Sequence, residues 1–106
     1  MGHDEVALER VRHVLGARDD VVEKRMVGGR SFVVGGHLCC GVTGSGLMVR
    51  VVREQRSWAL AQPHVRPLIL GDRQPNGFVV VDPPGYVADA DLAAWIGRAL
   101  EAVASL

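Results

Sequence analysis

His37, Cys39 and Cys40 hold the sharpest chemical possibility in this 106-residue sequence. If His37 to Thr43 forms a strand, alternation puts His37 and Cys39 on one face, roughly 6.5–7 Å apart, with Cys40 on the other. A thiol beside an imidazole is the arrangement of an activated nucleophile or of half a metal site. Zinc asks for three or four protein ligands, and His3, His13 and His64 form no ligand spacing with this pair, so no metal is expected. The ordinary reading makes Cys40 a small buried hydrophobe and His37 a turn residue. We carry that reading forward and keep His37 and Cys39 as the catalytic candidates of an alternative, a small enzyme or a ligand- or metal-binding protein.

Five arginines, Arg25, Arg30, Arg50, Arg53 and Arg56, lie in or beside the early strands. Alternation could place Arg25 and Arg50 on one sheet face, making a patch for an anion or a protein partner. In the alternative reading they hold an anionic substrate beside His37 and Cys39. The carboxylates explain themselves more simply. Asp89 and Asp91 open a helix, where the dipole favours negative charge, Asp19 and Asp20 sit in a loop, and Asp82 precedes two prolines. Nucleotide-binding loops fail, because Lys24 is the only lysine and no Gly-x4-Gly-Lys phosphate loop exists. Gly44-Ser45-Gly46 opens like a dinucleotide fingerprint, yet Val49 stands where its third glycine belongs and a strand follows, which is the pattern of a hairpin turn. No cofactor is expected.

The elements that must position these residues read clearly. Ala7, Leu8, Val11, Val14 and Leu15 form one apolar helical stripe, with Asp4 as its cap and Gly16 at its end. Short β-branched runs separated by glycines, Val21–Val27, Ser31–Val34, His37–Thr43 and Leu47–Val52, predict a four-strand antiparallel meander. The Gly28-Gly29, Gly35-Gly36 and Gly44-Ser45-Gly46 clusters supply its turns. In the fourth strand Leu47, Val49 and Val51 share one face, leaving Arg50 on the more exposed one. A short helix over Glu54–Gln62, anchored by Trp58 and stopped by Pro63, precedes strands at His64–Leu70 and Gly77–Asp82. Asp82-Pro83-Pro84-Gly85 then breaks the sheet. Leu92, Trp95, Ile96, Ala99, Leu100 and Val103 recur at helical spacing behind Asp89 as cap. The order predicts one α+β domain over residues 1–106, with helices at the amino terminus, middle and carboxy terminus on one face of an antiparallel sheet.

Composition narrows the function classes. Twelve basic residues balance twelve acidic ones, a balance unlike that of proteins that grip nucleic acid through phosphates, so direct nucleic-acid binding is not expected. Two adjacent cysteines make no disulfide scaffold, a hydrophobic fraction of 48% excludes disorder, and no apolar run is long enough to span a membrane. The amino terminus has no apolar signal region, which points to the cytoplasm and reduced cysteines. A meander leaves edge strands that must be covered or paired, so a homo-oligomer is expected as one option.

Several phrases, in this order, carry a resemblance: Lys24-Arg25-Met26-Val27-Gly28-Gly29, Leu47-Met48-Val49-Arg50-Val51, Pro63-His64-Val65-Arg66-Pro67, Gly77-Phe78-Val79-Val80-Val81-Asp82-Pro83 and Asp91-Leu92-Ala93-Ala94-Trp95. From about Leu8 to Val103 the chain resembles the TfoX amino-terminal domain family, departing from it at Val27, where members often carry an aromatic. Members include the amino-terminal half of TfoX/Sxy regulators of natural competence, which act with a cyclic-AMP receptor protein at promoters and carry a second, helical domain. This sequence ends at Leu106 after the last predicted helix, so the competence role is not carried over. The resemblance implies the fold and a regulatory or binding role, and supplies no catalytic residue. The expectation is a non-enzymatic interaction module, an accessory to transcription that acts through a protein partner.

Overall fold

The computed structural model describes residues 4–26 and 29–106. Helix α1 spans Glu5–Leu15, and the Asp4 carboxylate accepts from the Val6 and Ala7 amides at 2.9 and 3.2 Å. Two otherwise orphaned helix donors are thereby satisfied. Gly16 closes the helix in ordinary right-handed geometry (φ −64°), so no left-handed cap is used. The meander follows as β1 (Val21–Met26), β2 (Gly29–Val34), β3 (His37–Thr43) and β4 (Leu47–Arg50). Val27 and Gly28 lie outside the described residues, and with them the end of the first predicted strand and half of its turn, as does His3. Gly35 and Gly36 join β2 to β3 at φ +58° and +88°, a pair of left-handed conformations that side chains with a Cβ resist.

Past β4 the chain makes a 3-10 turn at Arg53–Gln55, helix α2 at Arg56–Leu60, β5 at Val65–Pro67 and β6 at Phe78–Val81. A second 3-10 turn, Pro83–Tyr86, leads into α3 at Asp89–Ala104. The sheet is antiparallel throughout, in the order β1-β2-β3-β4-β6-β5. The α+β class, the meander and the three helices agree with the sequence. Several bounds do not. β5 is three residues rather than seven, because His64 adopts φ +66° and cannot extend the strand, while Pro67 removes a ladder donor. Leu68 then turns onto the sheet beside Met48 and Val80. Asp89 is not the cap of α3. Ala88 holds that position without a side-chain bond, and Asp89 is the first helical residue, its carboxylate receiving Arg10 Nε and Nη2 at 3.3 and 3.1 Å.

Register decides which side chains face the helices. Phe32, Val34, Cys40, Val42, Leu47, Val49, Val79 and Val81 meet Leu8, Val11, Ile96 and Ala99 in one buried cluster. The opposite face carries a smaller cluster of Met48, Leu68 and Val80, with Met26, Leu38 and Phe78 packed against it. Leu47, Val49 and Val51 therefore share the helix side, as the alternation predicts, and Arg50 lies on the other.

Candidate functional site

The His/Cys candidates are separated by a β-bulge. Phe32 pairs with Cys40 and Val33 with Leu38, so Cys39 is an extra residue on β3. An extra residue resets the alternation. Cys39 and Cys40, expected on opposite faces, both enter the helix-side core at 0% exposure, whereas His37 is exposed at the strand's start. Both thiols are free. Cys40 donates to the Cys39 sulfur, which draws the Cys39 thiol below its usual range against the opposing effect of burial, and Arg18 and Arg50 add to the lowering. The same bond, together with burial, pushes Cys40 well above that range. Polarisation here comes from the second thiol and two arginines. Among the described residues, no group of three His, Cys, Asp or Glu is placed to hold a metal ion.

The five arginines do not gather into one patch. Arg25 and Arg30 are cross-strand partners on β1 and β2, on the face where Glu23 meets the helix side. Arg30 lies 3.5 Å from Glu23, which also takes Arg12 Nε and Nη2 of α1 at 2.8 and 2.7 Å. Arg50 projects from the opposite face, so register separates it from Arg25. Its Nε donates to the Leu38 carbonyl at 2.5 Å, and its guanidinium stacks 4.7 Å from the Phe78 ring centroid. Arg53 is exposed in the 3-10 turn, while the Nε of Arg56 is buried without a hydrogen-bond partner.

What the structure does assemble lies along the Arg53–Leu60 segment, where it packs on α3. Trp58, expected as the anchor of its helix, packs on α3 yet remains 42% exposed, while the buried residue of α2 is Ala59. Its ring lies 6.0 Å from that of Trp95, tilted by 43°, and the Arg98 guanidinium covers it at 3.8 Å. Arg98 Nη1 also donates to Gln55 Oε1 at 3.1 Å, which ties the 3-10 turn to α3. Where this surface meets the end of β4, Arg50 and Arg53 line a depression of about 690 Å³ together with Asn76, Gly77, Ala102 and Ser105. Sequence reading missed Arg98. Its spacing from Trp95 on α3 was the available signal, but the partner ring belongs to another helix. A separate depression of about 730 Å³ lies between α1 and α3, and there Arg10 is already committed to Asp89 and to the Val87 carbonyl.

No helix among the described residues is long and apolar enough to cross a membrane. No curated protein and no solved structure shows a significant match to the chain. The sequence profile of the TfoX N-terminal domain matches residues 13–103, most of the chain. With the meander, the two further strands and the three helices in the order that the residue pattern predicts, the chain belongs to the TfoX N-terminal domain family.

Proposed function

We propose that the protein is a non-enzymatic interaction module of the cytoplasm, a regulatory accessory to transcription that works through contact with a protein partner. The observation that carries this reading is the aromatic and arginine surface of α2 and α3. Trp58 is left 42% exposed, yet it is held rigid between Trp95 and Arg98. Rigid Trp and Arg side chains are the residue types that dominate protein interfaces, because they offer large contact area at little entropic cost. The zero net charge supports a protein rather than a nucleic-acid partner. The long open edge of β1 adds self-association to the same reading.

The test is capture from native lysate on the immobilised chain, repeated with Trp58→Phe and Arg98→Ala. A protein retained by the wild type and lost with Arg98→Ala is the expected result. Retention that ignores both substitutions overturns the assignment of this surface. Salt-dependent, submicromolar affinity of the chain for duplex DNA overturns the protein-contact reading itself. Sedimentation that shows only monomer at high concentration removes self-association.

A further inference from the structure

We propose that the depression between the end of β4 and the last turn of α3 binds an oxyanion, a carboxylate or phosphate group on a partly apolar body, through Arg50 and Arg53. This goes beyond the protein-contact surface of Trp58 and Arg98 and does not depend on it. Arg10, Arg12, Arg18, Arg30 and Arg66 each hold a carboxylate. Among the described residues neither Arg50 nor Arg53 has one within ion-pair distance, although both line the same depression. Two guanidinium groups that line one depression, neither of them in an ion pair, can both donate to an oxyanion bound there.

Arg50 is oriented in advance. Its Nε is held by the Leu38 carbonyl and its plane by the Phe78 ring, which leaves the two terminal amino groups of the fork as the free donors. A guanidinium fixed in this way loses little entropy on binding and presents the two-pronged geometry that carboxylate and phosphate accept. Arg53, exposed three residues later, supplies a movable second cation. Val51, Val52, Ala102 and Leu106 give the depression an apolar wall, and its volume of about 690 Å³ falls within the range of small-ligand sites. Glu54 also lines it and opposes an anion, so its charged side chains are two positive and one negative. Three of the carbonyls ending α3 are occupied. Ala102 accepts the Ser105 hydroxyl, while Glu101 and Val103 accept the Ser105 and Leu106 amides.

The test follows backbone and arginine Nε resonances of the whole chain by NMR during titration with phenyl phosphate, inorganic phosphate and a glutamate-rich peptide. The expected result is saturable shifts at Arg50, Arg53, Gly77 and Ala102, with phenyl phosphate bound about tenfold more tightly than inorganic phosphate because of the apolar wall. Arg53→Gln, a change on an exposed turn, should weaken binding about tenfold or more, whereas Arg73→Gln in the distant Leu70–Arg73 turn should not. If only the peptide binds, and does so through Arg53, the oxyanion comes from a partner's acidic side chain. If phenyl phosphate binds and the peptide does not, the oxyanion is a phosphate on an apolar body rather than a partner's carboxylate. No saturable shift with any probe up to about 10 mM, or shifts unaltered by Arg53→Gln, overturns the proposal. Partner capture lost with Arg98→Ala, together with no saturable shift from any probe, would leave the proposed function standing while this site fails.

Discussion

Trp58→Ala tests whether the exposed tryptophan is a packed part of the α2 and α3 surface or a loose side chain. A tryptophan brings up to about 250 Å², and Trp58 keeps 42% exposed, so roughly 145 Å² is buried. At roughly 25 cal/mol/Å², reduced for the compactness of the unfolded chain, that burial is worth about 2–3 kcal/mol. The ring contact with Trp95 adds about 0.5–1.5 kcal/mol and the Arg98 stack about 0.5–1 kcal/mol. Alanine recovers part of the burial and about 0.5 kcal/mol of helix propensity. The expected net loss is about 3 kcal/mol, a fall of roughly 10–20 °C in Tm for a domain of this size. The assay is urea unfolding of wild type, Trp58→Ala, Arg98→Ala and the double variant. The two single losses should fail to add by about 0.5–1 kcal/mol, the share that the stack carries. A loss below about 1 kcal/mol, or full additivity, would refute the packing described here and remove the rigidity on which the proposed contact surface rests.

Three further outcomes follow from the geometry. Cys39 and Cys40 should resist iodoacetamide in the native state and both react in denaturant, since each is fully buried. Rapid native labelling of Cys39 would instead favour an activated thiol. Arg18 holds the Asp20 carboxyl below the ordinary carboxylate range through a hydrogen bond, so Arg18→Ala should raise that value in a carbon-detected titration. A lowered carboxyl stabilises the fold above its unfolded pKa. The wild type's advantage over Arg18→Ala should thus be full above about pH 5 and fade as pH falls through the carboxylate range. An advantage that instead grew with acid would contradict the assignment. Gly46→Ala should destabilise the pairing of β4 with β6 by about 2 kcal/mol or more, because a Cβ there would stand 2.4 Å from the Val81 carbonyl oxygen. Unchanged stability in urea would mean that this approach is looser than described.

Much of this protein was legible in its residues. Local pattern was enough for the apolar stripes of α1 and α3, the glycine-punctuated meander and the Asp4 cap, because each depends on neighbours within a turn or a strand. Pattern also put Leu47, Val49 and Val51 on the core side. It failed where distant chain intervenes. Alternation alone could not reveal the bulge at Cys39, which exists in the pairing of β3 with β2 and sends both thiols to one side. Alternation also left Arg25 and Arg50 free to share a face, and the register of four strands separated them. The depression that Arg50 and Arg53 share and the cover of Trp58 by Arg98 join residues 3 and 40 positions apart in sequence, across a strand end and between two helices. Sequence by itself determined the class of fold, the identity of its elements and the family. Only tertiary packing decided which cations were neutralised, which thiols were buried and which tryptophan was left in solvent, because charge, burial and stacking depend on contacts that no local periodicity encodes.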